Sequence, residues 1–172
     1  MTMQIRSETS EDVAAIHEVN CLAFGQDSEA RLVNELRNSV NFIDDLSLVA
    51  VDQGSVIGHT LLSPITIEGQ TGVVPALALA PMAVRPEHQR KGIGSQLVRF
   101  GLSRARTLGH QIVVVVGHPA YYPRFGFMPA RAKGIEAPFQ VPDEAFLILE
   151  LVENALQGVA GMVRYPSPFE TV

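Results

Sequence analysis

Residues 90–95, RKGIGS, place two cations before two closely spaced glycines, at the predicted start of a helix within the stretch HQRKGIGSQLVRF (88–100). The first N–H groups of a helix lack intrahelical partners and lie at the positive end of the helix dipole. Glycine lets the backbone approach a ligand closely, so successive N–H groups can surround an anion. The turn therefore predicts a phosphate-binding site.

Known phosphate-binding patterns narrow the choice of ligand. The nucleoside-triphosphate loop pattern G-x-x-x-x-G-K-[ST] is absent from the chain. The dinucleotide pattern G-x-G-x-x-G fails because Leu97 stands at its third glycine. An acidic residue about 20 residues further on is also missing, because that stretch is apolar. A dinucleotide-dependent oxidoreductase is disfavoured, and on the residues alone a flexible turn without a ligand stays an alternative.

The elements around the turn form a predicted strand–helix–strand unit. A strand at 77–84 precedes the turn, a helix at 92–108 follows it, and the β-branched run at 111–117 predicts a strand buried on both faces. Such a crossover places two parallel strands side by side. Pro81 cannot donate a ladder hydrogen bond, so it predicts a bulge or an unpaired side.

The rest of the chain predicts an α+β fold, with an α/β-like arrangement in three layers. The remaining predicted elements are helices at 10–24 and 28–39, a hairpin over 46–69 that turns at Gln53-Gly54, and strands at 145–152 and 161–166. A length of 172 residues predicts a single domain over 1–172.

Composition excludes several classes of function. A net charge of −5 disfavours general nucleic-acid binding. The longest apolar run, at 73–84, is 12 residues long and contains two prolines, so it is too short and too broken to span a bilayer. The N-terminal residues lack the apolar core of a signal peptide. These features predict a cytoplasmic protein with no membrane partner.

Two motifs carry a resemblance to a known family. MAVRPEHQRKGIGSQLV (82–98) resembles the acetyl-CoA-binding signature of the GNAT N-acetyltransferase superfamily, with Gln89 at one of its fixed positions. YYPRFGF (121–127) resembles the Y-x-x-x-G-F box of the same superfamily. The stretches GHPAYYPRFGF, EAFLILELVENAL and GMVRYPSPF are similar to its YhbS-like branch, so the resemblance covers nearly the whole chain.

The resemblance implies a mixed, twisted sheet whose central parallel strands splay apart and are flanked by helices, with acetyl-CoA as cosubstrate. It implies that the pantetheine amides pair with the backbone of Met82, Ala83 and Val84. The pyrophosphate would bind the N–H groups of the turn, which belong to Arg90, Lys91, Gly92, Ile93, Gly94 and Ser95.

Acetyl transfer to an amine needs a neutral amine, a donor for the developing oxyanion and a proton for the departing thiolate. The resemblance implies Tyr122 as the general acid, and a backbone N–H at or near Met82 suits the oxyanion. Many family members have an Asn seven residues before this Tyr, where this chain has Val115. His59, Glu68, His118 or a water chain could supply the base.

The predicted function is acetyl-CoA-dependent transfer of an acetyl group to a primary amine of a small molecule or a protein. The alternative is a non-catalytic module that binds or senses acyl-CoA. Helices and loops near 24–42 would select the acceptor, and an acyl group other than acetyl stays open. No metal site is predicted, because the histidine of HQR lacks a spaced second ligand. The apolar C-terminal strands could pair between two copies in a homodimer.

Overall fold

The computed structural model describes residues 3–171 and divides them into two compact units. Of the described residues, the first unit contains 3–63, 80–104 and 167–171. The second unit contains 64–79 and 105–166. That the whole chain is one domain stays a prediction.

Residues 3–171 contain nine strands and three α-helices. The strands are β1 (Met3–Ser7), β2 (Ser47–Asp52), β3 (Ser55–Gly69), β4 (Gly72–Val84), β5 (Ile112–Val116), β6 (Met128–Pro129), β7 (Ile135–Glu136), β8 (Phe146–Glu150) and β9 (Gly161–Arg164). The helices are α1 (Val13–Phe24), α2 (Ser28–Arg37) and α3 (Ile93–Thr107). Each predicted strand and helix is present, with its ends shifted by a few residues.

The sheet is mixed, with the strand order β1-β2-β3-β4-β5-β8-β6 and with β9 pairing with β3 and β7. The β4/β5 and β7/β9 pairs are parallel, whereas β1/β2, β2/β3, β5/β8, β6/β8 and β3/β9 are antiparallel. The parallel register joins Leu77 with Val113 and Ala78 with Val114. The predicted strand–helix–strand crossover is therefore confirmed.

In the first unit, helices cover both faces of the sheet. Side chains of α1 and α2 pack on one face in a buried cluster with Val49, Leu61 and Ala83. The first residues of α3 pack on the other face, in a cluster that includes Leu48 and Val84. This alternation of neighbouring strand residues between two clusters produces the predicted three layers.

The β2–β3 hairpin turns where the sequence predicted. Gln53 and Gly54 have φ angles of 51° and 78°, the left-handed pair that a two-residue hairpin turn requires. Further along, Ala50 pairs with Gly58 but Val51 pairs with Val56, so Ile57 is the extra residue of a β-bulge. The structure thus has a bulge in β3, the strand next to β4.

The second unit is built around β5. Its first four residues are all buried, which explains the absence of alternation in its sequence. At the end of α3, the N–H of His110 bonds to the carbonyl of Ala105 and the N–H of Gly109 to that of Arg106. With Gly109 at φ 96°, these bonds form a Schellman motif that ends the helix.

Candidate active site

The turn between β4 and α3 has a backbone shaped to bind an anion. Arg90 and Gly92 have φ angles of 64° and 82°, so two left-handed residues lie within three positions. Residues 90–92 are exposed, and a Cβ added to Gly92 would meet no atom within 4 Å. Left-handed residues in a turn can direct neighbouring N–H groups toward one side, where they form an anion-binding concavity. The helix begins immediately after this turn, at Ile93.

Local hydrogen bonds hold the turn in place. The Gln89 side-chain amide donates to the Val84 carbonyl at 2.9 Å, which joins the turn to the end of β4. Arg85 donates its backbone N–H to Ile57 at 2.8 Å and its Nε to the Val56 carbonyl at 3.0 Å. Gln89 therefore supports the backbone of the turn rather than facing an anion.

Three of the predicted phosphate-binding residues lie in the first turn of α3, and one of them has a buried side chain. Ile93 is 7% exposed and packs in the cluster below the helix, whereas Gly94 and Ser95 are half-buried. Anchoring by Ile93 fixes the direction of the helix start, so the N–H groups of this turn have a defined orientation.

The three residues at the end of β4 that are predicted to pair with pantetheine do not all face the same side of the strand. The Pro81 carbonyl accepts a hydrogen bond from Thr60 Oγ1 on β3, and the Arg85 N–H donates to Ile57 on β3. In an extended strand, backbone groups of successive residues point to opposite sides. The amides of Met82 and Val84 therefore point away from β3.

Ala83 has the opposite orientation. Its carbonyl lies 3.3 Å from the position that a Cβ on Gly58 would occupy, so it faces β3. Its side chain is 1% exposed, in the cluster with α1 and α2. Met82 and Val84 thus have the backbone groups suited to a ligand.

Tyr122 begins a short 3-10 turn that runs from Tyr122 to Phe125. Its side chain is 7% exposed and packs edge-on against Tyr121 and Phe127, with ring centroids 5.0 and 5.8 Å away. Burial, and to a lesser extent the neighbouring Tyr121, raises the pKa of Tyr122 to about 12. The hydroxyl is therefore protonated at neutral pH and can act as a proton donor.

Gly117, which follows β5, positions this ring and was missed by the sequence analysis. A Cβ on Gly117 would lie 2.8 Å from Cδ2 of Tyr122 and closer still to Cε2. The ring therefore occupies the space that any other side chain would need. The sequence feature that could have indicated this contact is a glycine directly after the β-branched strand and five residues before the tyrosine.

His59 lies in a buried polar network in the first unit. Its Nε2 is 3.1 Å from Ser47 Oγ, and its Nδ1 is 3.3 Å from Asn20 Nδ2. Ser47 donates its hydroxyl proton to Glu8, whose carboxylate also accepts from Arg37 Nε at 2.6 Å. His59 Nε2 must then donate to Ser47, which leaves Nδ1 to accept from Asn20.

This environment holds His59 neutral. The side chain is 0% exposed, and burial, together with the positive charge of Arg37, lowers its pKa to about 3. Because both ring nitrogens already have partners and none of the ring is exposed, the geometry favours a structural role over that of a base.

The other two base candidates lie in the second unit. Glu68 forms an ion pair with Arg164 at 2.9 Å, and it lines a cavity of about 590 Å³ together with Thr71 and Gly158. His118 is exposed, and its carbonyl accepts the N–H of Tyr121 at 3.1 Å. His118 therefore helps to shape the turn that bears Tyr122.

Two further observations concern metals and membranes. Within residues 3–171, no three His, Cys, Asp or Glu side chains gather closely enough to bind a metal ion. Over the same residues, none of the helices combines the length and the apolar character that crossing a membrane requires.

Known proteins are similar to this chain in sequence and in fold. A profile of the acetyltransferase (GNAT) domain matches residues 4–130. The uncharacterized N-acetyltransferase YjhQ of Escherichia coli K12 is 38% identical over 163 residues, which cover 93% of this chain and 90% of that protein. The uncharacterized N-acetyltransferase YhbS from the same strain is 36% identical over 168 residues, which cover 97% and 98% of the two chains.

Two solved structures agree in fold over almost the full length. Escherichia coli YhbS in complex with CoA superposes with a TM-score of 0.91 at 34% identity, covering 98% of this chain and 92% of that one. A GNAT acetyltransferase from Brucella melitensis in complex with acetyl-CoA gives a TM-score of 0.80 at 32% identity, with 98% of each chain covered. The predicted mixed sheet with splayed central parallel strands is confirmed, and this chain belongs to the GNAT family of N-acetyltransferases.

Proposed function

We propose that this protein uses acetyl-CoA to acetylate a primary amine of a small molecule or a protein. The observation that carries the proposal is the exposed left-handed turn at residues 90–92, which lies between the end of β4 and the start of α3. Two relatives of similar fold form complexes with CoA or acetyl-CoA, which supports this choice of cosubstrate.

In this proposal the turn binds the pyrophosphate through N–H groups of residues 90–95, and Arg90 and Lys91 add positive charge. The outward-facing backbone groups of Met82 and Val84 pair with the pantetheine amides and the thioester. A free backbone edge is a ready partner for an extended amide chain. The contribution of Ala83 is its side-chain packing.

The chemical step forms a bond from the amine nitrogen to the acetyl carbon and breaks the bond from that carbon to sulfur. The Met82 N–H donates to the thioester oxygen as that oxygen gains negative charge. Tyr122 gives its hydroxyl proton to the departing sulfur. A base, which we assign to water because His59 is buried and already bonded, removes the proton from the amine.

A binding module that senses acyl-CoA without turnover is the second candidate. The exposed turn would serve such a module equally well, but the similarity of nearly the whole chain to relatives named as N-acetyltransferases favours an enzyme. The net charge of −5 favours a cationic acceptor. A cytoplasmic location and a homodimer stay predictions.

The cosubstrate site is tested with a pair of glycine variants. Gly92 and Gly54 have similar φ angles, 82° and 78°, and a Cβ at either would meet no atom within 4 Å. Gly92→Val and Gly54→Val therefore carry the same backbone strain at different places. We expect Gly92→Val to weaken CoA binding at least 10-fold by calorimetry, while Gly54→Val keeps it within twofold. Equal affinities in two folded variants would place the CoA site elsewhere.

Turnover is tested by following thiol release from acetyl-CoA in the presence of amines. The panel contains spermidine, L-lysine, a lysine-containing peptide and a peptide with a free N-terminus. We expect release with at least one amine. Tight acetyl-CoA binding with no release across the panel would favour the sensing module.

A further inference from the structure

Thr60 is a fully buried residue in the middle of β3. Its hydroxyl donates to the carbonyl of Pro81 on β4 at 3.1 Å. Both residues belong to the first unit. A threonine on an inner strand usually packs through its methyl group, so a side-chain bond to the backbone of the next strand calls for an explanation.

The bond fixes the plane of the peptide that joins Pro81 to Met82. In a trans peptide the carbonyl and the N–H point in opposite directions. When the Pro81 carbonyl is held toward β3, the Met82 N–H must point away from β3. The Arg85 N–H, four residues after Pro81, donates to Ile57 on the same side as Thr60, which confirms this orientation at the other end of the segment.

Two features of this segment bear on the role of Thr60. Proline has no N–H, so Pro81 cannot donate a ladder bond of its own. The Val84 carbonyl is already occupied by Gln89, which leaves the Met82 N–H and carbonyl and the Val84 N–H as the outward-facing groups of this segment.

From this geometry we propose that Thr60 is a positioning residue that aims the Met82 N–H at the thioester oxygen. The inference rests on the proposed function, because it assumes that acetyl-CoA binds along β4. Thr60 touches neither the cosubstrate nor the amine in this proposal. It acts through the Pro81 carbonyl, and its loss would let the peptide plane tilt while the N–H donor itself remains.

The central test compares Thr60→Val, which keeps the shape of the side chain but lacks the hydroxyl, with Thr60→Ser, which keeps the hydroxyl. A direct oxyanion donor contributes about 10²–10³-fold to kcat. A donor that is present but misaligned should lose less, so we expect kcat to fall about 10-fold in Thr60→Val, with the most active amine of the panel. Thr60→Ser should recover kcat to within threefold of the unchanged enzyme.

Two measurements separate this role from a general effect on folding. The Kd of CoA should stay within threefold in Thr60→Val, because CoA has no thioester oxygen. Ser63 is the matched control, since it lies on the same strand, is 2% exposed, and its hydroxyl has no hydrogen-bond partner among the described residues. Ser63→Ala should leave both kcat and the Kd of CoA unchanged.

A spectroscopic measurement reports on the donor itself and needs no acceptor. The chain contains five methionines, so ¹⁵N-methionine labelling gives a simple amide spectrum in which Met82→Leu identifies the Met82 signal. Acetyl-CoA should shift this signal downfield relative to CoA in the unchanged protein and in Thr60→Ser, but much less in Thr60→Val.

The outcomes distinguish this inference from the function on which it rests. An unchanged protein that binds neither CoA nor acetyl-CoA would overturn the proposed function and this inference with it. A protein that turns over acetyl-CoA but retains full kcat in Thr60→Val would overturn the inference alone. The same holds if the Kd of CoA weakens as much as kcat falls, or if the Met82 shift is the same in all variants.

Discussion

His59 and Tyr122 are both buried titratable side chains, one in each unit, and burial is the largest cause of both pKa shifts. Their surroundings differ. His59 is enclosed by polar partners, with Ser47 and Asn20 bonded to its two nitrogens. Tyr122 is enclosed by aromatic rings and a glycine, and within residues 3–171 no hydrogen bond to its hydroxyl is found.

The difference shows that a perturbed pKa does not by itself identify a reactive group. Both groups are neutral at pH 7, and burial extends the pH range over which each stays neutral, because the charged form of each is disfavoured away from water. His59 already uses its hydrogen-bonding capacity inside the fold, so it stabilises the packing of helices on the sheet. Tyr122 keeps its proton available, which is what a general acid needs.

Removing the Tyr122 hydroxyl is the most direct test of its role as the general acid. General acids contribute about 10²–10⁴-fold to kcat. A pKa of about 12 makes the phenol a weaker acid than an ordinary tyrosine, and it lies well above the usual value of about 8.5 for a thiol. We therefore expect kcat to fall about 100-fold in Tyr122→Phe, near the lower end of that range, with little change in the Kd of acetyl-CoA.

Tyr121→Phe is the matched control for this loss. Tyr121 is half-buried and stacks with the guanidinium of Arg124, which lies 4.6 Å from its ring centroid. Tyr121→Phe keeps the ring that contacts Arg124, and we expect kcat to remain within threefold. Equal losses in the two variants, or a small loss in Tyr122→Phe with a good acceptor, would leave Tyr122 as a packing residue.

Gly117→Ala tests whether the position of the Tyr122 ring matters, because it moves the ring without removing the hydroxyl. The new methyl group would overlap the ring edge, so the ring must shift by roughly 1 Å. Misplacement of this size can cost up to about 10²-fold in rate. We expect kcat to fall about 10-fold, measured beside the melting temperature to confirm folding.

A double variant separates positioning from packing. If Gly117 acts through the Tyr122 hydroxyl, Gly117→Ala should lower kcat little further once Tyr122 is already Phe. Fully multiplicative losses in the Gly117→Ala/Tyr122→Phe protein would contradict a role for Gly117 in positioning the acid.

Some features of the fold and of the candidate site could be predicted from the sequence, and others could not. The turn at 90–95 and the parallel strands were predictable, because glycine spacing and hydrophobic periodicity are local properties of the chain. The network around His59 was not, since its partners come from separate elements and none is near in sequence. The contact of Gly117 with Tyr122 is formed by the folded loop, and Gln89 supports the turn in a way that its motif position did not reveal.

The smallest expected effect on activity, and the clearest on stability, comes from His59→Gln. The pKa of His59 is about 3 in the folded protein and 6.5 in the unfolded chain, so the unfolded chain takes up the proton first as pH falls. The stabilising contribution of neutral His59 is therefore complete above about pH 6.5 and is lost progressively as the pH falls toward 3. The full change, over about 3.5 pKa units at about 1.4 kcal/mol each, is on the order of 5 kcal/mol. Urea unfolding between pH 7 and pH 4 should show a steeper loss of the free energy of unfolding for the unchanged protein than for His59→Gln, because carboxylates contribute alike to both.

At pH 7 the His59→Gln variant should be less stable but retain kcat within threefold. Parallel stability curves would contradict the buried neutral state, and a large loss of kcat in the folded variant would restore His59 as the base.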